Sequence, residues 1–185
     1  AWSPRSPAEA LDRGIAMVHQ HFSLVPRMTV VENLMLGQVK GMLKRHEFGA
    51  RIRDIAESFG FTLDPDAVVG ELSVGERQRA EIVKCLMRDP KLLVLDEPTA
   101  VLPPGEIGAL LDICRRVADS GRAVILVTHN IEEAVQMCDR ILVFATNPGR
   151  IVSDIEVTIP RPRDRNDPSF AGLVEQIYVE MTAKK

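Results

Sequence analysis

The sequence lacks several features that would place it in a broad class of protein. Its net charge is −3 with the two signs interspersed, so it has no basic stripe of the kind that binds nucleic acid. No apolar run approaches the roughly 20 residues that a membrane-spanning helix needs, and no signal peptide is expected at the N-terminus. The three cysteines (Cys85, Cys114 and Cys138) have no CxxC spacing, which predicts reduced thiols in a cytosolic protein. We therefore expect no nucleic-acid partner, and a membrane role only through another protein.

A short apolar run, Leu92–Leu95, predicts a strand that is buried on both faces, because turn-forming prolines at 90 and 98 bound it. Asp96 and Glu97 follow at its carboxyl end, where open α/β sheets bind their ligands. Consecutive acids at the end of a buried strand are costly to desolvate unless they meet a cation or transfer a proton. The alternative is an acidic turn that is simply solvated.

Polar side chains also follow two further predicted strands. Gln20 comes after Ile15–Val18, and His129 comes after Ala123–Val127, which we expect to be a second buried strand. Helical segments separate these strands, and Ile141–Ala145 is predicted as another strand of the same kind. The alternation of strands and helices predicts an α/β fold with a mostly parallel sheet and right-handed connections.

A capping box, Ser73-Val-Gly-Glu76, predicts the start of a helix over Glu76–Arg88. Placing Ser73 and Gly75 at a helix N-terminus leaves backbone N–H groups and the helix dipole available to an anion. We expect Gly75 to be exposed, so that a ligand could approach the backbone closely. Helix capping alone would also explain the serine.

The segment 38–71 has no strand signal and contains an amphipathic helix that ends at Gly60, so it predicts a small helical subdomain inserted in the α/β core. A second capping box at Thr29 opens a short helix that stops at Gly37. After an edge strand and an irregular proline-rich stretch, Asp167 caps a final helix. The predicted divisions are the core-lobe remainder 1–37, the helical subdomain 38–88, the α/β core 89–159 and the tail 160–185.

These parts together are what a nucleotide triphosphatase needs. Asp96 suits a water-mediated contact to Mg²⁺, and Glu97 suits general-base activation of water. His129 could donate to a γ-phosphate, and Gln20 could coordinate the metal or orient the water. Any one of these assignments alone is weak, since a histidine after a strand is usually an ordinary loop residue.

At this point the sequence resembles the nucleotide-binding subunits of ABC transporters, over nearly the whole chain. Gln20 matches the Q-loop, Leu72–Glu76 the signature motif, LLVLDE the Walker B motif and His129 the switch histidine, in the family's order and spacing. The resemblance implies a P-loop NTPase-like fold and an ATPase that uses ATP and Mg²⁺. It also implies a head-to-tail dimer in which each ATP lies between one subunit's P-loop and the other's signature residues, here Ser73, Val74, Gly75 and Glu76. A permease partner and a peripheral location on the cytoplasmic side of the plasma (inner) membrane are further implications.

The sequence departs from the family pattern in three places. Val74 and Glu76 stand where the usual LSGGQ signature has a glycine and a glutamine, and Pro103 lies where a D-loop aspartate is expected. The third departure is that the sequence contains no P-loop motif G-x-x-x-x-G-K-[ST], since none of the twelve glycines is followed by lysine. We expect the first strands, the P-loop and an adenine-stacking aromatic to precede residue 1.

The leading interpretation is the ATPase subunit of an importer, here without its N-terminal third and inactive alone. The alternative is a non-hydrolytic module that supplies its signature motif to a complete partner. A DNA-repair type of ABC ATPase is set aside, because residues 21–71 contain no sustained heptads. The loop Phe22–Met28 and the helical segment to Gly70 are expected to meet the permease through side chains such as Phe22, Leu24 and Val25, unless these belong to the subdomain core. The motifs LSVGE and DEPTAVL resemble sugar or nucleoside importers, whereas VFATNPGRI and PRPRDRNDP resemble nitrate, sulfonate or taurine systems, so the cargo stays open.

Overall fold

The computed structural model describes residues 3–36, 44–146 and 149–182. The chain divides into two compact units, Ala1–Val127 and Thr128–Lys185. The four predicted divisions of the chain stay predictions, and the helix stop expected at Gly37 lies outside the described residues. In the described part of the chain, no helix is both long and apolar enough to cross a membrane.

The first unit is an α/β layer structure with a helical segment between its first two strands. Its three strands, β1 Ile15–Val18, β2 Leu92–Asp96 and β3 Ala123–Val127, form a parallel sheet in the order β1-β2-β3, which confirms the predicted α/β class. Each parallel pair needs a crossover, and helices provide both of them. The elements are α1 Pro7–Asp12, β1 Ile15–Val18, α2 Val30–Met35, α3 Arg45–Ser58, a 3₁₀ turn Val69–Glu71, α4 Val74–Leu86, β2 Leu92–Asp96, α5 Pro104–Asp119 and β3 Ala123–Val127.

The sheet has one buried face and one partly exposed face. Leu93 and Leu95 of the central strand are almost fully buried on the first face, and α4 and α5 pack on the sheet. On the opposite face Met17 is 40% exposed, Ile125 47% and Val127 46%. The prediction that β3 is buried is therefore wrong for this face, because an apolar run reports hydrophobicity and not which layers cover it.

The helical segment has a core of its own. Side chains of α2 and α3 pack with one face of α4, and Gly60 follows α3 with φ +81°. Buried Asn33 fixes the preceding loop, since its Oδ1 accepts the Val25 N–H at 2.6 Å and its Nδ2 donates to the Val25 and Thr29 carbonyls, each at 3.0 Å. The core is formed by Val30, Val31, Leu34, Phe48, Ile52, Ala56, Leu63, Val69, Leu72, Ala80, Val83 and Met87.

The second unit is an antiparallel hairpin packed with two helices. It contains α6 Ile131–Met137, β4 Arg140–Thr146, β5 Gly149–Glu156 and α7 Pro168–Thr182. Because β4 pairs with β5 in an antiparallel sheet, the prediction that 141–145 is another strand of the parallel sheet is wrong. Only two residues separate the two strands, which suits a hairpin and cannot accommodate a crossover. The cap predicted for the last helix is confirmed, since Asp167 Oδ1 accepts the Ser169 N–H at 2.8 Å.

Buried Arg163 ties the end of α6 to the segment that follows β5. Its guanidinium donates to the carbonyls of Val135 and Cys138, each at 2.8 Å, and of Ile159 at 2.9 Å. The last carbonyls of a helix have no partner within the helix, so an arginine fork at this position satisfies groups that would otherwise be buried without a hydrogen bond. The irregular proline-rich stretch thus has a structural anchor.

We predict that Arg163→Lys destabilises the second unit by about 3 kcal/mol, because a single ammonium cannot reach carbonyls in several directions and leaves some of them unpaired. Native-state hydrogen exchange of the α6 and β4 amides measures this loss. Arg165→Lys is the matched control, since exposed Arg165 pairs with Glu132 at 3.1 Å and a surface pair contributes at most about 1 kcal/mol. Equal protection in the two variants would contradict the role given to Arg163.

Candidate active site

The carboxyl ends of β1 and β2 lie side by side and carry three of the predicted site residues. Val18 is the register partner of Leu95, and Gln20 and Glu97 each follow two residues later. Neighbouring strands are about 4.8 Å apart, so the parallel register places these two residues and Asp96 at one edge of the sheet. We call this position the sheet edge.

The backbone of Glu97 has an unusual conformation. Its φ is +46°, in the left-handed region that residues other than glycine rarely adopt. Its N–H donates to the Val127 carbonyl at 2.8 Å, and its carbonyl accepts the Ala100 N–H at 3.2 Å, so β3 and the following turn hold it in place. Such a conformation costs on the order of 1–3 kcal/mol and occurs preferentially at functional sites.

Asp96 is the last residue of β2 and is half-buried, opposite Val127 in the register. Among the described residues there is no group of three or more histidine, cysteine or acidic side chains that could hold a metal ion. Mg²⁺ commonly uses one or two carboxylates and takes its other ligands from water and from substrate phosphates. Asp96 and the amide oxygen of Gln20 fit that smaller donor set.

The predicted anion site is the N-terminus of α4, and its capping box is confirmed. Ser73 Oγ accepts the Glu76 N–H at 3.2 Å, and the Glu76 carboxylate accepts the Ser73 N–H at 2.8 Å. The helix begins at Val74, two residues earlier than predicted, because a capping box places its glutamate at the third helical position. The hydrogen bonds from the Ser73 backbone and side chain lower the pKa of Glu76 below its usual value. We call Ser73–Glu76 the signature turn.

Gly75 does not have the predicted exposure. It is buried, and a Cβ at this position would overlap the carboxylate of Glu106 in the first turn of α5. The prediction of an exposed glycine is wrong, because the close approach that requires glycine here comes from Glu106. Ser73 remains exposed at the start of the helix.

The direction of α4 separates the signature turn from the sheet edge. Cys85 Sγ donates to the Met17 carbonyl at 3.5 Å, and Glu81 accepts a hydrogen bond from Ser23, beyond the end of β1. The helix therefore runs antiparallel to β1, and Ser73 lies roughly 12 Å farther along its axis than Glu81, at 1.5 Å a residue. The signature turn extends past the sheet edge and does not lie on it.

His129 belongs to the second unit and follows β3 by two residues along the chain. It is exposed, and the residues on either side of it are fixed by short-range hydrogen bonds. The Asn130 N–H donates to Thr128 Oγ1 at 3.0 Å, and Asn130 Oδ1 accepts the Glu133 N–H at 3.3 Å as the N-cap of α6. Its expected hydrogen bond to a γ-phosphate stays a prediction.

Two carboxylates near the site were missed by the sequence analysis. Glu106 contacts Gly75, but an acid in the first turn of α5 is an ordinary helix feature and gave no signal. Glu81 is buried beside Ile82 and receives two hydrogen bonds from Ser23. The available signal was its position four residues before Cys85, next to the apolar stripe of α4, because a buried acid needs partners.

Comparison with known proteins gives consistent matches. The ABC transporter family profile matches residues 3–100. An arabinose import ATP-binding protein of Azospirillum brasilense is 40% identical over 94% of this chain and 34% of the relative. A guanosine import ATP-binding protein of Bacillus subtilis is 40% identical over 97% of this chain and 34% of the relative, so the chain spans about a third of the length of these relatives.

A solved structure supports the fold assignment independently. An ATP-binding cassette of an ABC transporter in its ADP conformation has a TM-score of 0.72 and 24% identity, over 95% of this chain and 72% of that chain. At this level of identity the match shows the fold alone. It agrees with the predicted P-loop NTPase-like architecture.

We predict that the capping hydrogen bond from the Ser73 N–H to Glu76 weakens in acid, because a neutral carboxyl accepts a hydrogen bond less strongly than a carboxylate does. A lowered pKa means that this stabilisation is fully present above the unfolded pKa of about 4.3 and is lost as the pH falls through the lower folded pKa. The amide resonance of Ser73 should therefore titrate at a lower pH than an ordinary glutamate does in NMR spectra. Glu76→Gln should abolish this titration, since its amide oxygen accepts the same hydrogen bond without ionising.

The chain contains its own control for this experiment. Thr29 and Glu32 form an equivalent capping box at α2, and hydrogen bonds from Thr29 likewise lower the pKa of Glu32. The Thr29 amide should keep its acid titration in the Glu76→Gln variant. A Ser73 titration that persists in that variant would show that another group controls it.

Proposed function

Because the chain belongs to the ABC transporter family, we propose that it is part of an ATPase that energises solute import through a membrane permease. The observation that carries this proposal is the sheet edge, where Asp96 and Glu97 end the central parallel strand beside the segment of Gln20. Ligands of open α/β sheets bind at this position.

In the proposed reaction Glu97 accepts a proton from the water that attacks the γ-phosphate of ATP. Gln20 orients that water, and His129 donates a hydrogen bond to the γ-phosphate. Asp96 and Gln20 would hold Mg²⁺, which neutralises charge on the phosphates when it is bound. The backbone hydrogen bond from Glu97 to Val127 supports this assignment, since it fixes the base relative to the neighbouring strand.

The signature turn is proposed to bind the triphosphate held by a second subunit. Its Ser73 hydroxyl and the N–H groups of the first helical turn attract an anion, and α4 carries them past the sheet edge toward a neighbour. Glu76 opposes this attraction with its negative charge but keeps the turn ordered through the capping box. Val74 stands where the usual LSGGQ signature has a glycine, and its side chain adds bulk to the same turn. Gly75 has no side chain and so leaves room for the carboxylate of Glu106.

We further propose that the phosphate cradle comes from a segment or chain outside these residues. No glycine in the sequence is followed by lysine, so no P-loop lysine is present. The intact signature turn favours a second candidate function, in which the chain completes the site of a P-loop-bearing partner without hydrolysing ATP itself.

The permease contact is proposed on the loop Phe22–Met28. Val25 is 41% exposed there, whereas Leu24 packs partly against the helical core, which makes Val25 the better candidate. Such a contact would keep the subunit peripheral on the cytoplasmic side of the membrane. Relatives named for arabinose and guanosine import support an importer without selecting a cargo, since a sugar and a nucleoside differ chemically.

We predict that Glu97→Gln lowers turnover by about 10²-fold or more while ATP still binds, because the amide keeps the shape but cannot accept the proton. The measurement uses a P-loop-restored chain, in which a P-loop-bearing segment of an ABC relative is joined to the N-terminus. Asp112→Asn, an exposed change on α5, is the matched control and should leave turnover unchanged. Full turnover in Glu97→Gln would remove Glu97 from the role of base.

We also predict that the chain by itself binds Mg-ATP at millimolar concentrations or more weakly. It lacks several charge-assisted hydrogen bonds of the P-loop, each worth roughly 1.5–3 kcal/mol. Losing this binding free energy raises the dissociation constant from micromolar to millimolar or higher. Calorimetry of the purified chain checks this, with the P-loop-restored chain as the micromolar control. Micromolar binding by the chain alone would contradict the proposal.

The second candidate function has its own experiment. The folded chain is mixed with a P-loop-bearing ABC subunit whose signature serine is replaced. ATPase activity of the mixture should exceed that of either component, because the signature turn needs only its own helix N-terminus. If a demonstrated dimer gives no such increase, the chain does not complete a site in trans.

A further inference from the structure

The helix of the signature turn carries a buried acid whose partner is far away in the sequence. Glu81 is 6% exposed, and its Oε1 accepts two hydrogen bonds from Ser23, from the N–H at 2.5 Å and from Oγ at 2.9 Å. Lys84 Nζ lies 2.8 Å from Ser23 Oγ and 3.6 Å from Glu81 Oε2. We call these three residues the Glu81 clasp.

Stability alone does not explain this arrangement. An acid and an amine that are removed from water lose hydration, and a well-packed apolar residue commonly gives equal or greater stability at such a position. The clasp instead fixes the relative orientation of two distant segments. Glu81 and Ser23 are 58 positions apart in the sequence, and directional hydrogen bonds hold them together. Ser23 is also the donor of both bonds, which fixes its backbone and its side chain together.

The two ends of the clasp lead to different parts of the proposed site. Ser23 lies three residues after Gln20, which ends the β1 side of the sheet edge. Glu81 is in the middle of α4, a helix of 13 residues that begins at the signature turn. A helix transmits displacement along its axis as a rigid element, so a shift of the segment after Gln20 reaches Ser73 through α4.

The loop is also held on its other side. Asn33 of α2 binds both backbone groups of Val25, and the Gly70 N–H donates to the Pro26 carbonyl at 2.8 Å. The loop therefore has anchors to the helical core just after Ser23. Its connection to Glu81 is the contact that ties its start to the signature helix.

We propose that the Glu81 clasp is a positioning device that makes the Gln20 segment and the signature turn move together. Glu81, Ser23 and Lys84 contact neither nucleotide nor metal in this proposal, and they act through Gln20 and Ser73. The inference rests on the proposed ATPase function. Beyond that function, it assigns to these three residues the coupling of Gln20 with Ser73.

Native-state hydrogen exchange of the chain tests the local part of the inference. In Glu81→Ala the amides of residues 20–25 should exchange about tenfold faster or more, because the clasp no longer closes the segment. In Ser23→Ala they should exchange faster by a smaller factor, because the backbone N–H of residue 23 can still donate to Glu81 while the hydroxyl bonds to Glu81 and Lys84 are lost. Glu81→Gln should lie between Glu81→Ala and the native chain, since its amide oxygen still accepts the Ser23 N–H. Glu47→Ala is the matched control, because Lys44, the N-cap of α3, and Glu47 form an exposed pair with the same i,i+3 spacing.

Two exchange results would overturn the inference. One is unchanged exchange of residues 20–25 in Ser23→Ala, an exposed position at which the substitution leaves the core intact. The other is an equal rise over α4, β1 and residues 20–25, which would reveal a general loss of stability. Ser23→Ala keeps the test valid if Glu81→Ala fails to fold.

Kinetics of the P-loop-restored chain test the coupling. Ser23→Ala and Lys84→Met should each lower kcat by about threefold to tenfold and leave the KM for ATP within about twofold, the range expected for a coupling residue. The double variant should lose no more than the larger single effect, since both changes open one clasp. Faster local exchange with unchanged kcat would overturn the positioning role while the ATPase function stands. Absence of turnover in the unmutated P-loop-restored chain would instead refute the proposed function, and this inference with it.

Discussion

Parallel hydrogen bonding of β2 to a strand on each side is the constraint on which the rest of the first unit depends. In a parallel pair the partner residues advance together along both strands, so the carboxyl ends of β1 and β2 reach the same edge of the sheet. Parallel neighbours also require crossovers, and α4 and α5 return along the buried face in the opposite direction. Their N-termini therefore lie beyond the edge that carries Asp96 and Glu97. One pairing pattern thus positions both the acids and the signature turn.

The two parts of the candidate site have opposite electrostatic character. Asp96 and Glu97 are acidic and repel a triphosphate unless a cation lies between them, whereas the N-terminus of α4 attracts it. Because α4 places Ser73 roughly 12 Å beyond Glu81, the acidic residues and the anion-attracting helix N-terminus are separated along the chain's surface. This separation suits a nucleotide that is shared with other protein segments.

Buried polar side chains hold the irregular segments in both units. Asn33 binds the loop before α2, Glu81 binds its start at Ser23, and Arg163 binds the segment after β5. Irregular backbone cannot pair within a helix or a sheet, so its buried N–H and carbonyl groups need such partners. The loops near the sheet edge are consequently ordered by side chains that the regular elements present. Their geometry depends on these few contacts.

Local sequence determined the features that are decided within a few residues. The capping boxes at Thr29 and Ser73 follow from side chains that hydrogen-bond to backbone groups three residues away. The strand that ends at Asp96 follows from the apolar run Leu92–Leu95 between two prolines. Motif order also placed the chain in its family. Tertiary structure alone decided that β4 pairs with β5, that one face of β3 is exposed, and that Gly75 meets Glu106. These outcomes depend on contacts between residues far apart in the chain, and neither hydrophobic pattern nor spacing records which distant groups will meet.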